Sequence, residues 1–458
     1  MHGVYVVGGS NPLAPTNGSL INIQATTIDL DKVMKKIFAG KSISHLAITM
    51  CVLGAVFYCY EYYLRVAPSV MSAELKEVFG LGEASFGYLA ACYYYAYTPM
   101  QIPVGIMMDR FGPRRILTFA CFLCAFGTYL FASTVEITLA QVGRFLVGFG
   151  SAFAYVGVLK ISSIWLPSKY FAMMAGLCTA MGMLGAIGGE VSMTYLVEMV
   201  GWRETLNYSV VVGLILTLLL WLVLRDGTQH SQDSQTESLS EVVHHQFNGI
   251  KEMIYSSQMW ISGLIGCLTF LPITGFAEIW AVSFLQSTGM SKDQAAFGSS
   301  MVFLGFAIGG PIWGIISDLI QSRRIPLILG SFISAGLMAL LVFFPSDSIA
   351  WMYTLLFFSA FFASVEIIIF AVSNDLSRPS VNGTAVSFIN MFTMIGGALI
   401  PPIIGEILDS SIQLVDNMPV LTAADYSQAL AVIPVGLLLS GILSIFLRES
   451  YRKKSIFG

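Results

Sequence analysis

Ionisable side chains interrupt several long apolar stretches of this sequence, and they are the residues best placed to do chemistry. A charged group costs free energy in apolar surroundings, so each is a candidate for ligand binding, proton transfer or ion pairing. A carboxyl group in such surroundings can also carry a proton. The residues of this kind are Glu61, Arg65, Arg144, Lys160, Glu190, Glu278 and Glu366.

Glu61 and Arg65 lie four residues apart, which places them on one helix face and within reach of each other. Two interpretations stay open: a self-neutralising structural pair, or a site in which Arg65 binds a ligand carboxylate beside a protonatable acid. Tyrosines cluster around them and in the next apolar segment, and each offers a hydroxyl and an aromatic face. Most should pack between helices, with Tyr62 and Tyr94 expected to touch ligand. Asn390 is a further polar candidate.

The remaining ionisable residues are interpreted from their positions. Arg144 lies about 12 Å along its helix, too deep to reach water, and Glu190 is a candidate partner. Lys160 is nearer a helix end, where it fits either a functional role or anchoring at the membrane surface. Glu278 and Glu366 have no evident basic partner in their half of the chain. We expect Glu278 to contact ligand, and Glu366 to serve as a proton or ligand site or as a hydrogen-bond acceptor. The proton-transfer candidates are Glu61, Arg144, Glu190 and Glu366.

The composition shows which elements must position these residues. Of 458 residues, 56% are apolar and 11% are charged, and the mean hydropathy is +0.76. Soluble domains carry about 25% charged residues, so this chain is expected in a membrane. Its net charge of −4 gives no indication of nucleic-acid binding. The seven cysteines fall in apolar segments and are interpreted as buried small hydrophobes. His244 and His245 raise a metal site as an alternative, but they lack an acidic or Cys partner, so neither metal nor cofactor is expected.

Twelve apolar runs of roughly 20 residues predict twelve transmembrane helices. We predict an all-α membrane protein with an N-terminal tail at 1–43, a six-helix bundle at 44–224, a polar linker with an interfacial helix at 225–258, a second six-helix bundle at 259–447 and a C-terminal tail at 448–458. Most of the 23 Lys and Arg residues fall in the tails, the linker and the loops on the same side. The positive-inside rule therefore predicts that both termini are cytoplasmic.

One loop pattern occurs twice. Gly105 is followed by Asp109 and by an Arg pair nine and ten residues later, and Gly314 is followed by Asp318 and Arg323–Arg324 at the same spacing. Each copy ends the second apolar run of its half. A repeat on this scale in a membrane protein predicts two homologous bundles and alternating access between them.

These features resemble the major facilitator superfamily. The first loop resembles its Gly-x-x-x-Asp-Arg-x-Gly-x-Arg-Arg motif, 144–150 resemble its Arg-x-x-x-Gly-x-Gly motif, and 201–203 resemble the start of its sixth helix. The resemblance implies two pseudo-symmetric six-helix bundles and a conformational latch. Asp109 is then expected to accept hydrogen bonds from a helix N-terminus and from Arg115. The alternative is that the loop arginines only set the topology. The latch residues are Gly105, Asp109, Arg110, Arg115, Asp318 and Arg323.

The segment 60–67 further resembles the first helix of the anion:cation symporter branch, which implies that Arg65 binds a substrate carboxylate. That branch commonly has an acid before the Arg and another beyond the helix 4 Arg; here they are Leu64 and Ser151. Glu61 is positioned to replace one of them. A looser resemblance connects the chain to bacterial nutrient and amino-acid importers. The glycines of helix 5 follow the spacing of the family's antiporter motif, but Glu190 stands where that motif has Pro.

The expected function is proton-coupled symport of a small carboxylate-bearing or zwitterionic solute, either an organic anion or an amino acid. The alternative is proton-driven efflux of amphipathic compounds or a siderophore. An enzyme is not expected, because the sequence shows no nucleophile–base set, phosphate loop or metal cluster. The expected partners are a small-molecule substrate, protons and the lipid bilayer, and the expected location is a bacterial inner membrane. We expect a monomer.

Overall fold

The computed structural model describes residues 45–167, 170–226, 249–378, 381–415 and 418–451. The N-terminal tail, His244 and His245, and most of the predicted linker lie outside these residues. Helices dominate the described chain, as the composition predicts. The helices of the first half are α1 (His45–Arg65), α2 (Ala67–Val70), α3 (Ser72–Phe79), α4 (Glu83–Met100), α5 (Pro103–Phe111), α6 (Pro113–Ser133), α7 (Ile137–Ser151), α8 (Ala154–Trp165), α9 (Phe171–Val200) and α10 (Trp202–Val223).

The second half repeats this organisation with more interruptions. Counting membrane spans along the whole chain, span 7 contains a π-helical turn and span 10 contains a short 3₁₀ turn. A two-stranded hairpin precedes span 12. The elements are α11 (Ser257–Thr269), the π turn (Pro272–Ala277), α12 (Ala281–Ser287), α13 (Lys292–Leu319), α14 (Arg324–Phe343), α15 (Ile349–Ala363), the 3₁₀ turn (Ser364–Glu366), α16 (Ile367–Leu376), α17 (Asn382–Ser411), β1 (Gln413–Val415), β2 (Met418–Val420), α18 (Ala423–Leu430) and α19 (Val432–Phe446). The antiparallel pairing of β1 with β2 joins Gln413 to Val420.

Twelve membrane spans follow from these elements. Eleven helical segments of the described residues are long and apolar enough to cross a membrane. The twelfth is span 2, made of α4 and α5, in which five tyrosines lower the hydropathy. In the first half, span 1 is α1–α2, span 3 is α6, span 4 is α7–α8, span 5 is α9 and span 6 is α10. In the second half, span 7 is 257–287, span 8 is α13, span 9 is α14, span 10 is 349–376, span 11 is α17 and span 12 is α18–α19.

The two halves meet along two pairs of spans. Span 2 packs on span 11, and span 5 packs on span 8. Gly397 of span 11 lies against the ring of Tyr94 of span 2, where any side chain would overlap the ring. Because the number of spans is even, residues 45 and 447–451 lie at the same end of the bundle, which we term the terminal end. Residues 71–82, which include α3, and residues 418–422 lie at the opposite end. This placement puts the buried middle of spans 1, 2 and 7 between the halves.

Candidate substrate site between the two halves

Glu61 and Arg65 form a buried ion pair on span 1. Arg65 Nη2 donates to Glu61 Oε1 at 3.1 Å and lies 3.2 Å from Oε2. The side chains are 1% and 0% exposed. Their spacing of one helical turn brings them together, as the sequence predicts. The hydroxyl of Tyr93 donates to Glu61 Oε2 at 3.0 Å, so both oxygens of this carboxylate are occupied.

Glu278 joins this pair from the other half of the protein. Its Oε1 lies 3.7 Å from Arg65 Nη1, and its Oε2 accepts a hydrogen bond from Tyr94. The sequence offered no basic partner for Glu278 within its own half. The packing of span 7 against spans 1 and 2 supplies one from the other half. Arg65 thus connects two carboxylates that belong to different halves.

The position of Glu278 depends on an irregular backbone. The π-helical turn 272–277 begins with Pro272, and the Glu278 N–H bonds to the Ile273 carbonyl at 3.0 Å, one residue further back than in an α-helix. Such a turn inserts an extra residue and rotates the side chains that follow, and π turns are frequent at functional sites. An uninterrupted α-helix would direct residue 278 differently.

Tyrosine rings surround the Arg65 guanidinium. Its Cζ lies 4.0 Å from the ring centroid of Tyr62, 5.0 Å from those of Tyr93 and Tyr97, and 5.9 Å from that of Tyr94. Ring faces attract cations, so the cage stabilises a buried positive charge. The structure therefore places Tyr62, Tyr93, Tyr94 and Tyr97 around Arg65, and the expected contact of Tyr62 and Tyr94 with ligand stays a prediction. Tyr93 and Tyr97 lie four residues apart on one face of span 2, and this spacing was the available indication in the sequence.

Several polar atoms of this cluster have no hydrogen-bond partner among the described residues. They are Nε and Nη1 of Arg65, Oε1 of Glu278 and Nε of Arg144. A buried donor or acceptor left unpaired costs about 1–3 kcal/mol. Arg65 Nη1 and Glu278 Oε1 face each other between the halves, so a polar ligand there would satisfy both.

Arg144 holds the end of span 1 rather than pairing with Glu190. Its Nη1 donates to the Leu64 carbonyl at 3.0 Å, and its Nη2 lies 3.4 Å from the Arg65 carbonyl. The expected partnership with Glu190 was therefore wrong. The carbonyls at a helix C-terminus lack intrahelical partners and carry the negative end of the helix dipole. Arg144 satisfies both needs and fixes the backbone that carries Arg65.

The other buried acids lie outside the Arg65 cluster. Glu190 accepts a hydrogen bond from Ser299 of span 8 at 3.2 Å, which makes it a contact between the halves. Glu366 closes the 3₁₀ turn of span 10 beside Thr393 and is 3% exposed. Asn390 donates to Gln101 of span 2 at 2.7 Å, again across the halves. The roles of these three residues stay predictions.

The repeated loops form ion pairs at the terminal end. Asp109 pairs with Lys160 of span 4 at 2.7 Å, so the expectation that Arg115 is its partner was wrong. Lys160 reaches Asp109 because α8 of span 4 packs beside α5 of span 2. In the second copy, Arg323 pairs with Asp318 at 2.7 Å and with Asp375 at 3.4 Å. Within the described residues, no group of His, Cys, Asp and Glu could hold a metal ion.

A second repeat at this end was missed. Span 6 is followed by Leu-Arg-Asp226 and span 12 by Leu-Arg-Glu449. Asp226 accepts the Arg114 N–H at 3.0 Å, and Glu449 accepts the Arg323 and Arg324 N–H groups at 2.9 and 3.3 Å. Each carboxylate thus caps the first helix after a repeated loop. The identical Leu-Arg-acid ending of the two spans was the available signal.

The sequence also matches a known family model. Residues 46–401 match the Major Facilitator Superfamily. The chain belongs to that superfamily. It is therefore a membrane transporter with two pseudo-symmetric six-helix bundles and not an enzyme, in agreement with the fold and the repeated loops.

Individual relatives are more distant. The chain is 25% identical over 386 residues to the probable galactarate/D-glucarate transporter GudP of Escherichia coli (strain K12), covering 77% of this chain and 85% of that protein. It is 22% identical over 375 residues to the probable sulfoacetate transporter SauU of Cupriavidus necator, covering 79% and 86%. Among solved structures, a D-xylose–proton symporter superposes with a TM-score of 0.71 at 13% identity, covering 89% and 99%. An inward-facing bacterial homologue of the lysosomal transporter Spinster gives 0.69 at 16%, covering 88% and 96%. At these identities the solved structures support the fold alone.

Proposed function

We propose that this protein is a secondary active transporter that moves a small carboxylate-bearing solute by alternating access, coupled to protons as a symporter. The observation that carries the proposal is that two guanidinium donors of Arg65, buried between the halves, have no hydrogen-bond partner among the described residues. Guanidinium is the preferred partner of carboxylates because its planar donors match two oxygens. The substrates after which the relatives are named, galactarate, glucarate and sulfoacetate, are carboxylates.

Proton coupling follows from competition for Arg65. An incoming carboxylate must share the guanidinium with Glu61 and Glu278, both within 4 Å. A proton on either glutamate removes a negative charge and frees a donor, so solute and proton would favour each other's binding. We assign the main role to Glu61 and retain Arg144, Glu190 and Glu366 as further residues of proton transfer.

Contacts at the opposite end support alternating access. Lys292 pairs with Glu74 at 2.7 Å, Ser72 bonds to Ser283 at 3.1 Å, and the Asp409 carboxylate accepts backbone N–H groups of span 2. Each contact joins the two halves, so this end is closed. We propose that solute reaches Arg65 from the terminal end in this state.

The distribution of basic residues supports a cytoplasmic terminal end. We therefore propose an inward-facing state of a monomeric inner-membrane protein, with bundles at 44–224 and 259–447, a cytoplasmic linker at 225–258 and cytoplasmic tails at 1–43 and 448–458. The latch role of the repeated loops belongs to the same proposal.

The test is uptake by proteoliposomes that contain the purified full-length chain. Labelled organic acids and amino acids would be offered with an inward proton gradient, with and without a protonophore. We expect accumulation that collapses with the protonophore and disappears in Arg65→Gln. Arg378→Gln is the matched control because that side chain is 78% exposed. Extrusion of preloaded compounds under the gradient would support the efflux alternative, and transport independent of protons would remove the coupling.

A further inference from the structure

Two polar atoms that face each other across the halves are paired by charge but have no hydrogen-bond partner among the described residues. Arg65 Nη1 and Glu278 Oε1 are 3.7 Å apart, beyond hydrogen-bond length. Each is buried without a hydrogen-bond partner among the described residues. Their neighbouring atoms are engaged, since Arg65 Nη2 bonds to Glu61 and Glu278 Oε2 accepts from Tyr94. This donor and this acceptor, which lack hydrogen bonds among the described residues, therefore point to a ligand that itself carries one acceptor and one donor close together.

We propose that the solute is a 2-amino acid, whose carboxylate binds Arg65 and whose ammonium binds Oε1 of Glu278. This inference rests on the proposed function and assigns its substrate class. In a 2-amino acid the two groups sit on adjacent carbons, so a carboxylate oxygen and the ammonium nitrogen are about one hydrogen-bond length apart. One such molecule can lie alongside the Arg65–Glu278 pair and bond to both.

Charge balance favours a zwitterion over an anion. The cluster contains two cations, Arg65 and Arg144, and two anions, Glu61 and Glu278, all at most 3% exposed. A zwitterion adds no net charge, and its ammonium replaces the partner that Glu278 loses when the solute carboxylate binds Arg65. A plain carboxylate would leave one uncompensated negative charge in a buried site, which is costly. It would need an extra proton to bind.

The surroundings of Glu278 fit an ammonium group. Tyr94 fixes Oε2 through its hydroxyl, and its ring is held in place by Gly397. This leaves Oε1 directed toward Arg65. The tyrosine rings around Arg65 would also attract an ammonium group bound beside it.

The test compares solutes that differ only at carbon 2. Purified full-length protein in nanodiscs would be titrated with aspartate, malate and succinate, and with serine, glycerate and 3-hydroxypropionate. We expect the amino member of at least one trio to bind roughly tenfold more tightly than its hydroxy and unsubstituted counterparts, as a charged hydrogen bond provides. Glu278→Gln should remove that advantage and leave binding of the hydroxy acid unchanged or stronger. Glu198→Gln, an exposed acid on span 5, is the control.

The outcomes separate this inference from the proposed function. Equal binding of amino, hydroxy and unsubstituted acids, or equal loss of all three in Glu278→Gln, would overturn the 2-amino acid assignment and leave carboxylate transport standing. Binding of none of the six, together with no uptake of any acid in proteoliposomes, would overturn both. Glu278→Asp keeps the charge and should retain the amino preference with weaker binding. It therefore supplies the answer if Glu278→Gln does not yield folded protein.

Discussion

Asp409 of span 11 caps the helix of span 2 that begins at Glu83. Its Oδ1 accepts the Glu83 N–H at 2.8 Å, and its Oδ2 accepts the Ala84 N–H at 2.9 Å. Helix N-terminal N–H groups have no intrahelical partner, and an anion there also meets the positive end of the helix dipole. The cap comes from the other half of the protein. We therefore expect it to form only while the opposite end is closed.

Replacing Asp409 with Ala should open that end. A helix cap is worth about 1 kcal/mol, so the closed population should fall roughly fivefold relative to the open one. Ser72→Cys would report the change, since Ser72 is buried against Ser283 in the closed state. We expect a membrane-impermeant maleimide to label this cysteine faster when Asp409 is Ala, in a background without the native cysteines. Glu77→Ala, an exposed acid at the same end, should leave the labelling rate unchanged. Equal labelling rates for Asp409→Ala and its parent would show that the cap does not stabilise the closed state of the opposite end.

Arg144 should act on substrate affinity through the backbone of span 1. Its two guanidinium nitrogens face the Leu64 and Arg65 carbonyls, and a hydrogen bond to a charged group contributes about 1.5–3 kcal/mol. In Arg144→Gln, Arg65 should lose its fixed position and KM should rise at least about tenfold. Arg144→Lys should recover part of the loss, because an ammonium group can serve one carbonyl.

Arg203 provides a matched control for this experiment. It also donates to two backbone carbonyls, those of Ala132 and Thr134, but at the opposite end of the first half. Arg203→Gln should lower thermal stability without raising KM. If both variants changed KM alike, Arg144 would have only a general structural role.

Local spacing was sufficient to predict some of this site. The twelve spans followed from apolar runs of sufficient length, and the Glu61–Arg65 pair followed from the helical repeat. The partners of Glu278 and Arg144 could not be predicted, because they depend on which spans pack together and on where the π turn rotates span 7. The partner of Asp109 could not be predicted for the same reason. The sequence identified Asp109 and its loop, but its partner Lys160 belongs to another span.

The Asp109–Lys160 pair should affect the rate of the conformational change rather than folding. The pair is partly exposed, with side-chain exposures of 63% and 27%, and such pairs contribute about 0.2–1 kcal/mol. Lys160→Asp should therefore change the transport rate by roughly twofold to fivefold, with normal expression. The exchanged double variant, Asp109→Lys with Lys160→Asp, should recover most of the rate. A double variant no faster than Lys160→Asp alone would show that the two residues act separately.

Glu449 should make the stability of the second bundle depend on pH. Partial burial acts to raise the pKa of Glu449, but the bonds from the Arg323 N–H, the Ser322 hydroxyl and the Tyr451 and Arg324 N–H groups outweigh it and hold this pKa below its ordinary value. Because the native pKa is the lower one, the cap stabilises the fold above the unfolded-state pKa of about 4.3. The contribution is lost as the pH falls through the native pKa.

We therefore expect Glu449→Ala to lower the Tm of the purified protein at pH 7, by the equivalent of about 1 kcal/mol for a lost cap. The difference in Tm between the wild type and this variant should narrow as the pH is lowered past about 4. The wild-type carboxylate is then protonated and accepts hydrogen bonds from the N–H groups less well. Glu198→Ala, which removes an exposed acid elsewhere, should show no such convergence. A constant difference in Tm from pH 7 to pH 3.5 would mean that the charge of Glu449 does not strengthen its cap and that its oxygen atoms cap the helix equally well when protonated.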